Sequence, residues 1–212
     1  MTRRRPRFAA SLTAFASAAC LVFAAAAPAE EKTFDFKDPK GVNGLVFVMD
    51  SELEPIVGMV GGVGGTVRYD PANPESFAGA ITVDIAQIAF INPGMTAVLK
   101  GADWLGIEDQ LIATMEFNSA TALSDTEQGS TILEVESVLK FTGKEIPLTL
   151  TLEADHNPEA AAQRGGAKSG DLLVLRASFE LSRLQLGIKE DAKQETVGPM
   201  INVIVPIVGY SQ

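Results

Sequence analysis

Ile81-Thr82-Val83-Asp84-Ile85 alternates apolar and polar side chains, the pattern of a β-strand with one face buried and the other wet. The same period recurs in Ala113-Thr114-Met115-Glu116-Phe117-Asn118 and in Leu148-Thr149-Leu150-Thr151-Leu152-Glu153. Several such segments with little helix between them predict an all-β fold. It is a single antiparallel barrel of about eight strands with one inserted helix. A closed sheet of that size either fills its interior with side chains or holds one ligand there. Function turns on what occupies the inside.

Working outward, strands are expected at 33–36, 45–49, 76–88, 111–119, 132–141, 145–154, 172–184 and 200–209. The stretch 57–69 reads as one long strand bent by its glycines at 58, 61, 62, 64 and 65, since glycine inside a strand marks a bend or a close backbone approach. Tyr69-Asp70-Pro71 ends it as a turn. Asn92 and Pro93 suit the cap and first position of the helix, which puts Met95, Val98, Leu99 and Ala102 on one face and Trp104 just past its end. Thr142-Gly143-Lys144 is a short hairpin connection. The polar stretch 155–171 reads as a solvent-facing loop with one helical turn between Pro158 and Gly165. The final strand is apolar on both faces and is expected between neighbours, under a covering element.

The chain opens Met-Thr-Arg-Arg-Arg-Pro-Arg, continues with an alanine-rich apolar run to Ala27 and reaches Ala27-Pro28-Ala29. A basic start, a short apolar middle and a small-residue end describe a secretory signal of the general type, cut after Ala29. The expected mature domain is 30–212, periplasmic or secreted, without stable membrane insertion. Cys20, the one cysteine, leaves with the signal, so neither disulfide nor thiol chemistry is expected. The formal net charge is −10. Cleavage removes four arginines (3, 4, 5 and 7) and no acid, which takes it to −14. Such a surface repels nucleic acid, so no nucleic-acid partner is expected.

Alternation and helical spacing together nominate an interior lining of Met59, Ile85, Leu99, Trp104, Met115, Phe117, Leu139, Phe141, Leu175 and Phe179. Adaptable methionine and broad aromatic surfaces suit a hydrocarbon chain, but the same stripe is what a filled core needs. Catalytic machinery is not evident. The single histidine, His156, sits in a polar Asp-His-Asn-Pro stretch and reads as exposed. No Gly-x-Ser-x-Gly occurs, one histidine cannot begin a zinc site, and Glu134 and Glu136 fall on the outward face opposite Leu133 and Val135. Neither enzyme, metal nor cofactor is expected.

Five fragments in order resemble the YceI-like family. Gly64-Gly65-Thr66-Val67-Arg68-Tyr69-Asp70-Pro71 is similar to its strand running into a Tyr/Phe-Asp-Pro turn. Ile81 to Ile88, Leu99-Lys100-Gly101-Ala102-Asp103-Trp104-Leu105, Phe117-Asn118-Ser119 and Phe141 to Leu148 resemble its later segments. Together they span about 42–210. The resemblance implies an extended lipocalin-like barrel, exported to the periplasm, that holds a polyisoprenoid, isoprenoid quinone or fatty derivative as its ligand and is compatible with homodimers. Three departures stand out: Val42-Asn43-Gly44 replaces the usual His-Ser, Asn92-Pro93-Gly94-Met95 replaces Arg-Asp, and Thr142 replaces the hairpin histidine. Two other readings stay open: a filled barrel acting through a surface partner in the envelope, and a lipid-converting enzyme.

Overall fold

Every alternating segment becomes strand, save that Ile85 opens a 3-10 turn, in the computed structural model, which describes residues 30–167 and 169–211. The expected signal, with Cys20, lies outside the described residues. In chain order the strands are β1 (Lys32–Asp35), β2 (Leu45–Met49), β3 (Ile56–Val60), β4 (Val63–Asp70), β5 (Asn73–Asp84), β6 (Ile88–Phe90), β7 (Ile112–Asp125), β8 (Thr131–Phe141), β9 (Lys144–Asn157), β10 (Leu172–Ser182) and β11 (Met200–Ser211). The helices are α1 (Pro93–Lys100), α2 (Ala161–Arg164) and α3 (Arg183–Leu186), with a single 3-10 turn at Ile85–Gln87.

All pairings are antiparallel. Eight strands close in the order β1-β4-β5-β7-β8-β9-β10-β11, and β1 returns to β11. The other three, β2-β3-β6, continue from the opposite end of β11. One edge of β11 thus pairs with β1 at Tyr210 and Ser211 and with β2 at Asn202 to Ile204.

The expected long bent strand over 57–69 is two strands. The chain turns at Gly61-Gly62, where Gly62 has φ +64° and an added Cβ would strike Gln87 and Asp84. This sends β3 to the β2–β6 wall and β4 to the β1–β5 wall. The expected strand over 76–88 is likewise broken. Asp84 accepts from the Ala86 N–H at 3.1 Å and caps the 3-10 turn, which redirects the chain into β6. The Thr142-Gly143 hairpin has positive φ at both residues, the two-residue turn that matches strand twist. Asn92 caps α1 by accepting from the Gly94 N–H at 2.9 Å.

The strand expected over 172–184 ends at Ser182, whose hydroxyl caps α3. Among the described residues the covering element expected over β11 is found at its C-terminal end, where Ala160, Ala161 and Ala167 pack on Leu172, Val208 and Tyr210. Farther back, Ile204 is 43% exposed.

The barrel interior divides into two ends. Around the C-terminus of β11, Phe34, Phe36, Val67, Tyr69, Phe77, Leu133, Val135 and Leu173 are all at most 1% exposed and fill the lumen. The loop expected to face solvent over 155–171 instead braces this closed end. Its first residues extend β9, and α2 docks through Arg164, whose guanidinium donates to both oxygens of buried Asp38 at 2.8 and 3.0 Å. Gly165, past the end of α2, has φ +80° as the turn requires.

His156 is not exposed as its polar neighbours suggested. Its ring stands edge-on to Phe34 and lies 2.8 Å from a carboxylate oxygen of Asp171. Asp171 is 1% exposed and also accepts from Lys32 Nζ at 2.6 Å and the Glu159 N–H at 3.1 Å. The reason is topological: β9 carries the histidine into the rim where β1 and β10 begin.

Candidate functional site: an apolar cavity in the open half of the barrel

Above the filled end the lumen is hollow. The cavity measures about 220 Å³. Its walls come from inward residues of nearly every strand: Leu45, Phe47 and Met49 of β2, Ile81 and Val83 of β5, Met115 and Phe117 of β7, Leu139 and Phe141 of β8, Leu150 and Leu152 of β9, Leu175, Ala177, Phe179 and Leu181 of β10, and Val203, Val205 and Ile207 of β11. Leu99, Trp104 and Leu105 reach it from α1 and the segment after it, and Leu186 and Ile188 from α3 and the loop beyond.

Nine of the ten residues nominated by sequence meet at this cavity: Ile85, Leu99, Trp104, Met115, Phe117, Leu139, Phe141, Leu175 and Phe179. Met59 does not. Strand β3 buries Ile56, Gly58 and Val60, so Met59 points outward and is 61% exposed. At Gly58 the absent side chain makes room for the rings of Phe47 and Phe90, which meet edge to face at 5.5 Å directly over it. A methionine-rich inward stripe on β3 would have displaced both rings. Helix α1 contributes less than its spacing suggested: Val98 is 59% exposed, and only Leu99 of its apolar set lines the cavity.

The aliphatic walls of β2 and β11, with Ile88 and Phe90 of β6, were missed because these strands read only as generic apolar runs. Sequence reasoning also missed Arg183. Its residue borders the cavity yet is 1% exposed. Its guanidinium donates to five backbone carbonyls: Gly198 at 3.0 Å, Ile188 at 3.1 Å, Lys189 at 2.6 Å, Ala192 at 3.4 Å and Val197 at 3.1 Å. The charged loop 187–198 is therefore wound around a buried cation. Carbonyl dipoles replace the water that such a charge otherwise requires.

The cavity lining is almost entirely hydrocarbon. Only Trp104 and Arg183 among its lining residues carry a strong side-chain hydrogen-bond donor, and none carries a carboxylate, hydroxyl or imidazole. Among the described residues no group of three or more His, Cys, Asp or Glu could hold a metal ion. The ionisable clusters lie at the other end. Arg164, with the Lys40 and Val42 N–H groups, holds the Asp38 carboxyl far below the usual carboxylate range against the opposing effect of burial. Burial raises Asp171, but Lys32, the Glu159 N–H and His156 outweigh it and hold the carboxyl at about 2. No described helix is long and apolar enough to cross a membrane.

The family model of the YceI-like domain matches residues 41–208, most of the chain and all of the cavity walls. The protein belongs to the YceI-like family. Solved structures of similar shape agree on the fold. Burkholderia cenocepacia BcnA superposes with a TM-score of 0.61 at 15% identity, covering 78% of this chain and 95% of its own. The Campylobacter jejuni YCEI protein gives 0.59 at 13% identity, over 77% and 88%. A polyisoprenoid binding domain from Saccharophagus degradans, implicated in plant cell wall breakdown, gives 0.58 at 7% identity, over 86% and 100%. No sequence among curated proteins matches this one. At such identities the YceI-like likeness carries the barrel and not the ligand.

Proposed function

We propose that this YceI-like protein is an exported, non-enzymatic carrier that sequesters the hydrocarbon tail of a long-chain amphipathic lipid in the open half of its barrel. One observation carries the reading: a carbon-lined lumen of about 220 Å³ lies above an end packed solid. A water-sized group needs roughly 10–15 Å³ by this measure, so the space takes about fifteen to twenty such atoms. Each buried methylene contributes about 0.8 kcal/mol, and about ten of them are needed to offset association costs of roughly 4–15 kcal/mol. The cavity matches a tail of that length. The polyisoprenoid-binding relative of the same fold supports an isoprenoid chain in particular, and the basic, alanine-rich start supports export through a general signal.

Trp104, the single tryptophan, lines the cavity and reports on it. Titration with a long-chain polyprenol should shift its emission saturably at one ligand per chain. An emission unchanged at saturating lipid, with no lipid recovered on the protein, would overturn the carrier reading. N-terminal sequencing of the exported protein should begin at Glu30.

A role through protein contacts is favoured by a separate feature. The outward residues Ile204, Val46, Met59 and Ala89 lie side by side across β11, β2, β3 and β6, and Val48 and Val57 extend this uncharged face. Pairing of two copies here would appear as a dimer in sedimentation and vanish with Met59→Lys.

A further inference from the structure

On the carrier reading, on which this inference rests, a hydrocarbon tail has to pass the rim of the open end. The other end is packed solid, and paired strands form the walls. Two long segments of that rim reach the cavity: 91–111 through Leu99, Trp104 and Leu105, and 187–198 through Ile188. They are held in different ways.

Segment 187–198 is tied down. Its carbonyls at Ile188, Lys189, Ala192, Val197 and Gly198 accept from the buried Arg183 guanidinium. It is also joined to the turn at 50–55 by the Leu53 N–H to Glu195 carbonyl bond at 3.0 Å and the Ser51 hydroxyl to Thr196 carbonyl bond at 3.2 Å. Gly198 lies so close to the Asp50 carbonyl that an added Cβ would collide with it.

Segment 91–111 has no such ties. β6 is the last strand of the sheet, and β7 pairs with β5 and β8 rather than with β6. Past the 3-10 turn, the gap between β6 and β7 is therefore spanned by this segment and by no strand. Its two ends are fixed. The Phe90 N–H donates to the Thr96 hydroxyl at 2.9 Å, and the Leu111 carbonyl accepts from the Ile85 N–H at 2.7 Å. Between them, among the described residues, the hydrogen bonds stay inside the segment: the N–H groups of Gly101, Trp104, Leu105, Gly106 and Ile107 all return to carbonyls of residues 97–101. The remaining hold is apolar and partial. No residue of α1 is fully buried, whereas α3 buries both Arg183 and Leu186. Few buried contacts and self-contained hydrogen bonds mark a segment that opens locally at low cost.

We propose that residues 91–110 form a lid that leaves the wall between β6 and β7 to admit and release the ligand tail, while 187–198 is the fixed side of the mouth. Opening breaks the Phe90–Thr96 bond and exposes Leu99, Trp104 and Leu105. Because the lid is closed in lipid-free and loaded protein alike, weakening this latch changes rates and not affinity.

Trypsin tests the motion. Lys100 lies in the lid and is half-buried, whereas Lys193 lies in the fixed segment and is exposed. Static exposure favours cleavage after Lys193. The lid requires that Lys100 be cut first, and more slowly under saturating N-phenylnaphthylamine, an apolar dye. Cleavage after Lys193 first, or a Lys100 site that the dye does not protect, would overturn the proposal.

Stopped-flow mixing with the same dye tests the latch. Thr96 does not line the cavity, so Thr96→Val leaves the lumen as it is. Uptake and release should both accelerate about three- to tenfold, the worth of one net hydrogen bond, with Kd unchanged. Ser51→Ala, which removes a tie of the fixed segment, should leave both rates as in the wild type. No acceleration in Thr96→Val, or equal acceleration in the two variants, would overturn the lid, while dye bound at equilibrium leaves the carrier reading standing. A wild type that takes up no dye would overturn the carrier reading itself.

Discussion

The two ends of this barrel are built from the same alternating strands and differ in what the alternation encloses. At the closed end the rings of Phe34, Phe36, Tyr69 and Phe77 interlock with Leu133 and Val135, and none exceeds 1% exposure. At the open end Phe47, Met115, Phe117 and Phe179 stand around space. Phe77 and Phe117 mark the frontier, with ring centroids 5.0 Å apart. Strand period therefore says which side chains face inward but not whether they meet. That depends on which side chains project inward: Phe34 and Phe36, on β1 and just past it, fill the closed end, whereas α1, α3 and the loops beside them approach the open one.

The largest effect expected from this contrast is on binding. Ala177 faces the lumen between Leu152 and Val205. Ala177→Trp places an indole where the tail would lie. Lipid affinity should fall more than about a hundredfold, the equivalent of roughly four or more buried methylenes, while the unfolding midpoint in urea stays near wild type. Retained binding would mean that the tail lies elsewhere.

Next in size is the asymmetry of truncation. Phe34→Ala should cost about 3–5 kcal/mol in denaturant unfolding because its neighbours cannot collapse into the hole. Met115→Ala, which only widens an existing cavity, should cost about 1 kcal/mol or less. Equal penalties would erase the distinction between the ends.

Strand positions, the hairpin at Thr142, the cap at Asn92 and nine lining residues were readable because they rest on local period and turn chemistry. Met59 was misplaced because a glycine-rich run has no reliable phase, and the turn at Gly62 resets the count. His156 looked solvated because its partners Phe34 and Asp171 are 122 and 15 residues away in sequence. Arg183 gave no signal, since backbone carbonyls have no residue type to read. Hollowness itself was not in the pattern, which a filled core would share.

Acid sharpens the contrast at a smaller scale. Asp171 is depressed from 3.8 to about 2 in the fold. Its contribution is complete above its unfolded pKa and lost as pH falls from about 4 to about 2. That loss amounts to about 2 kcal/mol. Urea unfolding should show a stability decline over this window that is shallower in Asp171→Asn. The lumen carries no acid or imidazole, so affinity for an uncharged lipid should stay flat between about pH 5 and 9, above the range in which Asp171 titrates.

The smallest expected effect is at α1. Asn92→Ala removes the cap to the Gly94 N–H and should cost about 1 kcal/mol. Amide exchange should report it in residues 93–100 and leave the closed end unchanged.

The most direct test of the hollow half is native mass spectrometry of protein purified from its own host, beside the Ala177→Trp variant. A hollow lumen should yield one long-chain lipid on each wild-type chain and none on the variant. Wild-type protein that is lipid-free from the outset, or a variant that carries the same lipid, would contradict it.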